Sequence, residues 1–263
     1  MRFLTRLALA AGLIVTLSAF FGAFFGASPG HAQDVSAAQR SAIEKIIREY
    51  LVAHPEVLQE AMAELEKKQA ADEAAKNQAA VKDNAETIFN SPRQVEAGNP
   101  QGDVTFVEFF DYNCGYCKRA MDDMFTLLKS DPKLKVVLKE FPVLGPGSVE
   151  AARVAVAVRM QDKTGKKYMD FHQKLLSGRG QADKARALAV AKEAGLDMAR
   201  VERDLTSDEV RQTLEESLKL AEKLGLNGTP SYVIGSNVVI GAVGLDKLKE
   251  SINTARCGKT TTC

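Results

Sequence analysis

The sequence predicts an α/β fold: a sheet whose strands are separated by a long helical block, preceded by a separate helical arm. Three observations predict it. Val104 to Phe110 is a nearly continuous run of β-branched and aromatic residues that hands over directly to a helix-forming segment, as a central strand covered on both faces would. Between residues 147 and 224, apolar residues recur at helical spacing in four successive segments with no strand signal among them. The β pattern then returns as Ser231 to Ile234 and Asn237 to Ile240, with Gly235-Ser236 between them reading as a hairpin turn. The order β, α, β, helices, β, β, α is that of an α/β sheet with a helical insertion in its middle.

The chain begins with a basic pair, Arg2 and Arg6, followed by an almost wholly apolar run from Leu7 to Phe25 and small residues from Ala27 to Ala32. This is the pattern of a secretory signal peptide, residues 1–32, cleaved after Ala32. A membrane anchor is the alternative, since the run approaches the roughly 20 residues that span a bilayer; its Gly and Ala content and small-residue exit favour cleavage. Cleavage removes two of the 35 basic residues and none of the 34 acidic ones, so the remaining 33 against 34 give a formal charge of −1. Such a balance gives no sign of nucleic-acid binding. No second apolar span follows, so the exported product is expected to be soluble.

The arm comes next, residues 33–90. Ile43, Ile46, Ile47, Tyr50 and Leu51 make one apolar stripe at helical spacing, which His54-Pro55 interrupts. A second helix starts at Pro55 and runs through Val57, Leu58, Met62 and Leu65 into the Ala-, Glu-, Lys- and Gln-rich stretch Glu66 to Lys82. A helix this polar is not held by burial in its own domain, so the arm is expected to pack against copies of itself as an oligomerisation element. A solvated, partly disordered linker is the alternative. Turn residues at Asn90-Ser91-Pro92 and from Gly98 to Gly102 place a domain boundary there, and residues 91–256 form the α/β domain. Within it the strands are 104–110, 134–138, 231–234 and 237–240. The helices are 147–160, 168–176, 181–195, 207–224 and a closing 245–254, besides the one that starts after residue 117.

Four cysteines lie in the exported part: Cys114, Cys117, Cys257 and Cys263. Cys114-Gly115-Tyr116-Cys117 sits where a strand meets a helix, so a thiol there faces unpaired backbone N–H groups and the positive end of the helix dipole, which both stabilise the thiolate. The thiolate is the attacking species in disulfide exchange. The two-residue spacing lets Cys117 resolve a mixed disulfide formed at Cys114, which makes Cys114 the exposed nucleophile and Cys117 the buried resolver. Half of a zinc site and a static disulfide are the competing readings. Zinc takes about four ligands, usually including a second close pair, and a static disulfide does not account for the strand-to-helix placement. Glu108 shares a strand face with Phe106 and Phe110 and is expected to be a buried carboxylate able to accept the Cys117 proton; exposure at a sheet edge is the alternative. Cys257 and Cys263, in a Gly-, Lys- and Thr-rich tail, are expected to pair in a structural disulfide. A soft metal such as copper on those thiols is the rival, although the three histidines, His31, His54 and His172, form no cluster in sequence. The site calls for no cofactor and no metal.

Phe109 to Arg119, Lys139 to Gly145 and Gly228-Thr229-Pro230 resemble the DsbA-like family of periplasmic thiol-disulfide oxidoreductases, whose fold is a thioredoxin fold with a helical insertion. The segment from Ile46 to Leu58 is similar to the amino-terminal region of the copper-sensitivity-suppressor C (ScsC-like) branch. The resemblance implies that Cys114 and Cys117 are the redox pair and that Pro230 is a cis-proline. It also implies that Thr229 before it presents backbone to an incoming peptide, and that Glu108 is the family's buried acid. Gly115-Tyr116 between the cysteines is the dipeptide typical of dimeric isomerases, where the oxidases carry Pro-His, and it shifts the expected redox poise toward isomerase or reductase. The expected protein is thus a periplasmic, oligomeric disulfide isomerase, a dimer or trimer through residues 33–90. It would act on unfolded or misoxidised proteins and be kept reduced by a membrane electron donor. A monomeric dithiol oxidase and a copper-binding protein holding the ion through Cys114 and Cys117 are the alternatives.

Overall fold

Two strands that are buried almost throughout set the sheet. In the computed structural model, which describes residues 35–162, 164–258, 261 and 263, β2 (Val104–Phe110) and β3 (Leu134–Glu140) pair in parallel, with only the second residue of each partly exposed. The expected signal segment, residues 1–32, lies outside the described residues. The parallel pair is joined through helix α4 (Gly115–Ser130), the crossover that parallel strands need. Three antiparallel strands complete the order β1-β3-β2-β4-β5: β1 (Val95–Gly98), β4 (Ser231–Ile234) and β5 (Asn237–Ile240). One face of β2 and β3, with Phe106, Phe110, Val136 and Leu138, packs on α4, on the helical insertion and on α10 (Leu245–Cys257). The other face, with Val107, Phe109 and Val137, is covered by a second cluster. This is the thioredoxin-like arrangement with a helical insertion.

The insertion comprises α5 (Pro146–Gln161), α6 (Lys166–Ser177), α7 (Lys184–Glu193), α8 (Met198–Asp204) and α9 (Asp208–Lys223). Its centre is α5, whose small and β-branched residues are buried on both sides. Val154, Ala155 and Val158 join the sheet-side cluster, while Ala152 and Val156 meet Val210 and Leu214 of α9. Asp183, Asp197 and Ser207 cap the three later helices by accepting a backbone N–H three residues on. Asp183 explains why α7 starts at Lys184 and not at Gln181.

Two elements go beyond the sequence reading. β1 lies between the two turn segments, overlapping the second only at Gly98, in residues to which no element was assigned. Its four residues exist as a strand only through pairing with β3, and Gly98 ends it at φ +77°, where an added Cβ would meet the Leu134 carbonyl oxygen at 2.5 Å. The other is α8, too short for a periodic signal.

The chain divides into two compact units, residues 1–62 and 63–263. In the first, α1 (Ala37–Ala53) starts with a capping box between Ser36 and Gln39 and buries none of its residues. Ile43, Ile46, Ile47 and Tyr50 all stand exposed. Helix α2 (Pro55–Asp83) starts at a proline, as such helices can, and α3 (Ala85–Phe89) follows it. Val81 and Ile88 lie in the core cluster of Phe109 and Val137, so the end of the stretch read as an arm contributes to the sheet's own packing. The buried Lys139 ammonium donates to Thr87 O (2.8 Å) and Gln94 Oε1 (3.0 Å), tying α3 to β3; burial lowers its pKa to about 8. No helix among the described residues is long and apolar enough to cross a membrane.

Candidate active site

β2 ends at Phe110, and the chain turns through Asp111, Tyr112 and Asn113 before α4 begins. Each of these side chains is fixed by the helical insertion or the loop leading to it. The buried Asp111 carboxylate accepts from Asn113 N (2.8 Å), Val143 N (2.8 Å), Leu144 N (3.0 Å) and Ser148 Oγ (2.7 Å). The Asn113 side chain donates to Ser148 Oγ and Ala182 O and accepts from Ala182 N. Tyr112 is wedged among the rings of Phe110, Phe171 and His172. Behind it the Tyr168 hydroxyl donates to Glu140 at 2.6 Å. Burial pushes Glu140 up to about 8 and His172 down to about 3, so this layer stays largely uncharged near neutral pH.

Held this way, Cys114 is the N-cap of α4, and its sulfur accepts from Cys117 N at 3.4 Å. On its other side stands Thr229 O, 3.1 Å away, carried by the loop before β4, where the Thr229-Pro230 peptide is cis. Both cysteines are free thiols. The Cys114 pKa is lowered to about 5, chiefly by a hydrogen bond from the Cys117 thiol. Burial opposes the shift, while Thr229 and the backbone N–H groups of Cys117 and Tyr116 add to it. Cys117 is pushed far up, first by the bond it gives to Cys114, then by burial, with Glu108 adding repulsion. The sequence reading needs one correction here. Cys114 was expected to be exposed, but it is only 5% exposed against 1% for Cys117, with the Thr229 carbonyl beside its sulfur.

Glu108 lies on the central strand β2 at 3% exposure, and burial, then the Cys114 and Asp123 charges, raise it to about 8. Gly115 opens the helix where an added Cβ would meet nothing within 4 Å, so no close contact demands glycine. Tyr116 is 59% exposed with the Arg119 guanidinium 4.4 Å over its ring. Cys257 and Cys263 are joined in a disulfide at the end of α10, which leaves no thiolate pair there for a soft metal. Among the described residues no three His, Cys, Asp or Glu side chains gather as a metal site.

Sequence reasoning missed the roles of Asp111, Asn113 and Ser148. The polar Asp-Tyr-Asn run directly before Cys114 was the available signal, since buried polar residues next to a reactive group need partners. Together the groups assembled here are a cysteine whose thiolate is stabilised, a second thiol held protonated, a buried carboxyl and the Thr229 carbonyl beside the first sulfur. Thiol–disulfide exchange draws on the same set.

A family model described as DSBA-like thioredoxin domain matches residues 105–253, and one described as copper resistance protein ScsC N-terminal domain matches residues 39–72. A thioredoxin-like oxidoreductase from Silicibacter pomeroyi is 44% identical, with 65% of this chain and 96% of that one covered at a TM-score of 0.62. A linker-deletion mutant of Proteus mirabilis ScsC is 28% identical, with 85% and 98% covered at 0.63. Disulfide bond formation protein D of Bacillus subtilis is 27% identical over 177 residues, which cover 62% of this chain and 77% of that protein. The chain also matches Na(+)/H(+) antiporter NhaA 1 of Salinispora arenicola at 24% identity, over only 24% of that protein's length.

Proposed function

Because the chain belongs to the DSBA-like thioredoxin-domain family of thiol-disulfide oxidoreductases and carries a ScsC-type N-terminal domain, we propose that it is an exported, oligomeric protein disulfide isomerase and reductase of the periplasm. The observation that carries the chemistry is the position of the Cys114 sulfur, at the first turn of α4 and beside Thr229 O. There the thiolate attacks a substrate disulfide, and the Thr229 edge receives the substrate backbone as an added strand. Cys117 resolves the adduct, passing its proton to Glu108. Isomerisation follows when the substrate's own thiol displaces Cys114 before Cys117 does.

The exposed stripe of Ile43, Ile46, Ile47 and Tyr50 supports assembly through residues 33–90, since contiguous apolar surface of this kind marks an interface. Copies held together around one space would grip a misoxidised chain at several points. When Cys117 resolves the adduct instead, the pair is left as a disulfide and a membrane electron donor returns it to the dithiol. One observation favours a second reading, a dithiol oxidase: a thiolate stabilised to about 5 favours the reduced protein and makes its disulfide oxidising.

One experiment separates the two. The mature protein is given scrambled, fully oxidised ribonuclease with a small thiol and, in parallel, reduced ribonuclease without one. Recovery of nuclease activity from the scrambled substrate is the expected result; oxidation of the reduced substrate with no such recovery would establish the oxidase instead.

A further inference from the structure

Glu108 and Tyr232 are direct partners across the antiparallel β2–β4 ladder, so their Cβ atoms stand about 5 Å apart on one face of the sheet. Both are almost fully buried, at 3% and 1% exposure, and Tyr232 lies in the layer that holds Cys114 and Cys117. Each leaves one polar atom unpaired. Glu108 Oε2 and the Tyr232 hydroxyl are two of four buried side-chain atoms, among the described residues, that make no hydrogen bond. Leaving such atoms unpaired costs stability. A phenylalanine would fill the Tyr232 position against the Phe106 ring, 5.1 Å away, without that cost. A donor and an acceptor left free on facing residues beside a redox pair point to use during the reaction.

We propose that the Tyr232 hydroxyl is the donor that stabilises the ionised Glu108 carboxylate as it accepts the Cys117 proton, and so sets the pH range in which mixed disulfides resolve. The inference rests on the exchange reading above. In that step the Cys117 thiol gives its proton to Glu108 and its sulfur bonds to Cys114 Sγ. The bond between Cys114 and the substrate sulfur breaks, and the electron pair leaves with the substrate as a thiolate. The protein pair is oxidised and the substrate reduced.

A carboxyl takes that proton only when ionised, and the surroundings oppose ionisation. The charged groups acting on Glu108, on Tyr232 and on the neighbouring Asp123 are Cys114, Cys117, Asp122 and Asp123 from the active-site turn and α4, and Asp246 from α10. In their charged forms none of them donates a hydrogen bond. Tyr232, itself held protonated by burial and by the Glu108 charge, supplies the donor that they do not. It is a positioning residue, acting through Glu108.

The test uses 5,5′-dithiobis(2-nitrobenzoate) on the full mature chain. The first thionitrobenzoate is released when Cys114 attacks, and the second when Cys117 resolves the adduct. The rate of the second release is followed against pH for wild type, Tyr232→Phe, Glu108→Gln and the double variant, with circular dichroism to confirm the fold. Tyr232→Phe is expected to move the rising limb up by about one pH unit, roughly tenfold slower on the limb, and to converge with wild type at high pH. Glu108→Gln should lose the limb, and adding Tyr232→Phe to it should change nothing more. Superimposable wild-type and Tyr232→Phe profiles, or a uniform slowing at every pH, overturn the inference while a Glu108→Gln response keeps the exchange reading. Absence of a second release from the wild type overturns both.

Discussion

The Cys114 sulfur draws its reactivity from two parts of the chain: the first turn of its own helix, through the Cys117 thiol and the backbone N–H groups of Cys117 and Tyr116, and Thr229, far along the sequence. Titration of the reduced protein by thiolate absorbance should therefore show a midpoint near pH 5 that Cys114→Ser removes, and exchange should slow about tenfold per unit below it. Glu108 makes the opposite contribution. Its pKa is raised from 4.5 to about 8, so the native state is undisturbed by it below 4.5 and loses stability as pH rises toward 8. Glu108→Gln should match wild type in denaturant unfolding near pH 4.5 and exceed it by on the order of 3 kcal/mol at pH 7; a constant difference would show that burial does not set this carboxyl. The cysteine spacing and the acid on the strand face were legible because they are local patterns. The low exposure of Cys114 was not, since Thr229 reaches it only through the folded sheet.

At the scale of elements, the active-site turn is a product of the helical insertion. Asp111 reaches the loop before α5 and Ser148 within it, and Asn113 reaches Ala182 just before α7. Asp111→Ala leaves three backbone N–H groups and one hydroxyl without their acceptor, at about 1–3 kcal/mol for each that stays unpaired. It should lower the unfolding midpoint and slow Cys114 reactivity together, whereas loss of stability with unchanged reactivity would mean that the turn is held by other contacts. Strands β2, β3, β4 and β5 and helix α5 were legible because continuous apolar runs and helical spacing mark buried elements. β1 was not, because four residues ending in Gly98 carry no period and take their form from the neighbouring β3. Asp111 was not singled out: it belongs to a polar run before Cys114, but nothing in a linear pattern says that a turn carboxylate will be buried.

At the scale of the whole molecule, the sheet-bearing unit begins at Ala63, and Val81 and Ile88 belong to its core. A boundary near residue 90, natural from the turn residues at Asn90 to Pro92, would cut into that packing; composition does not reveal which turn of a polar helix touches a sheet. A chain starting at Ala63 should fold, sediment as a monomer and keep its fast thiol, but lose recovery of scrambled ribonuclease. Full recovery by that monomer would remove the role proposed for the arm. The central claim, that Cys114 attacks and Cys117 resolves, is tested most directly by Cys117→Ala incubated with oxidised protein substrates and analysed by non-reducing electrophoresis and peptide mass spectrometry. Adducts linked through Cys114 should accumulate and disappear in the Cys114→Ala, Cys117→Ala double variant; no adduct, or adducts through Cys257 or Cys263, would contradict the account.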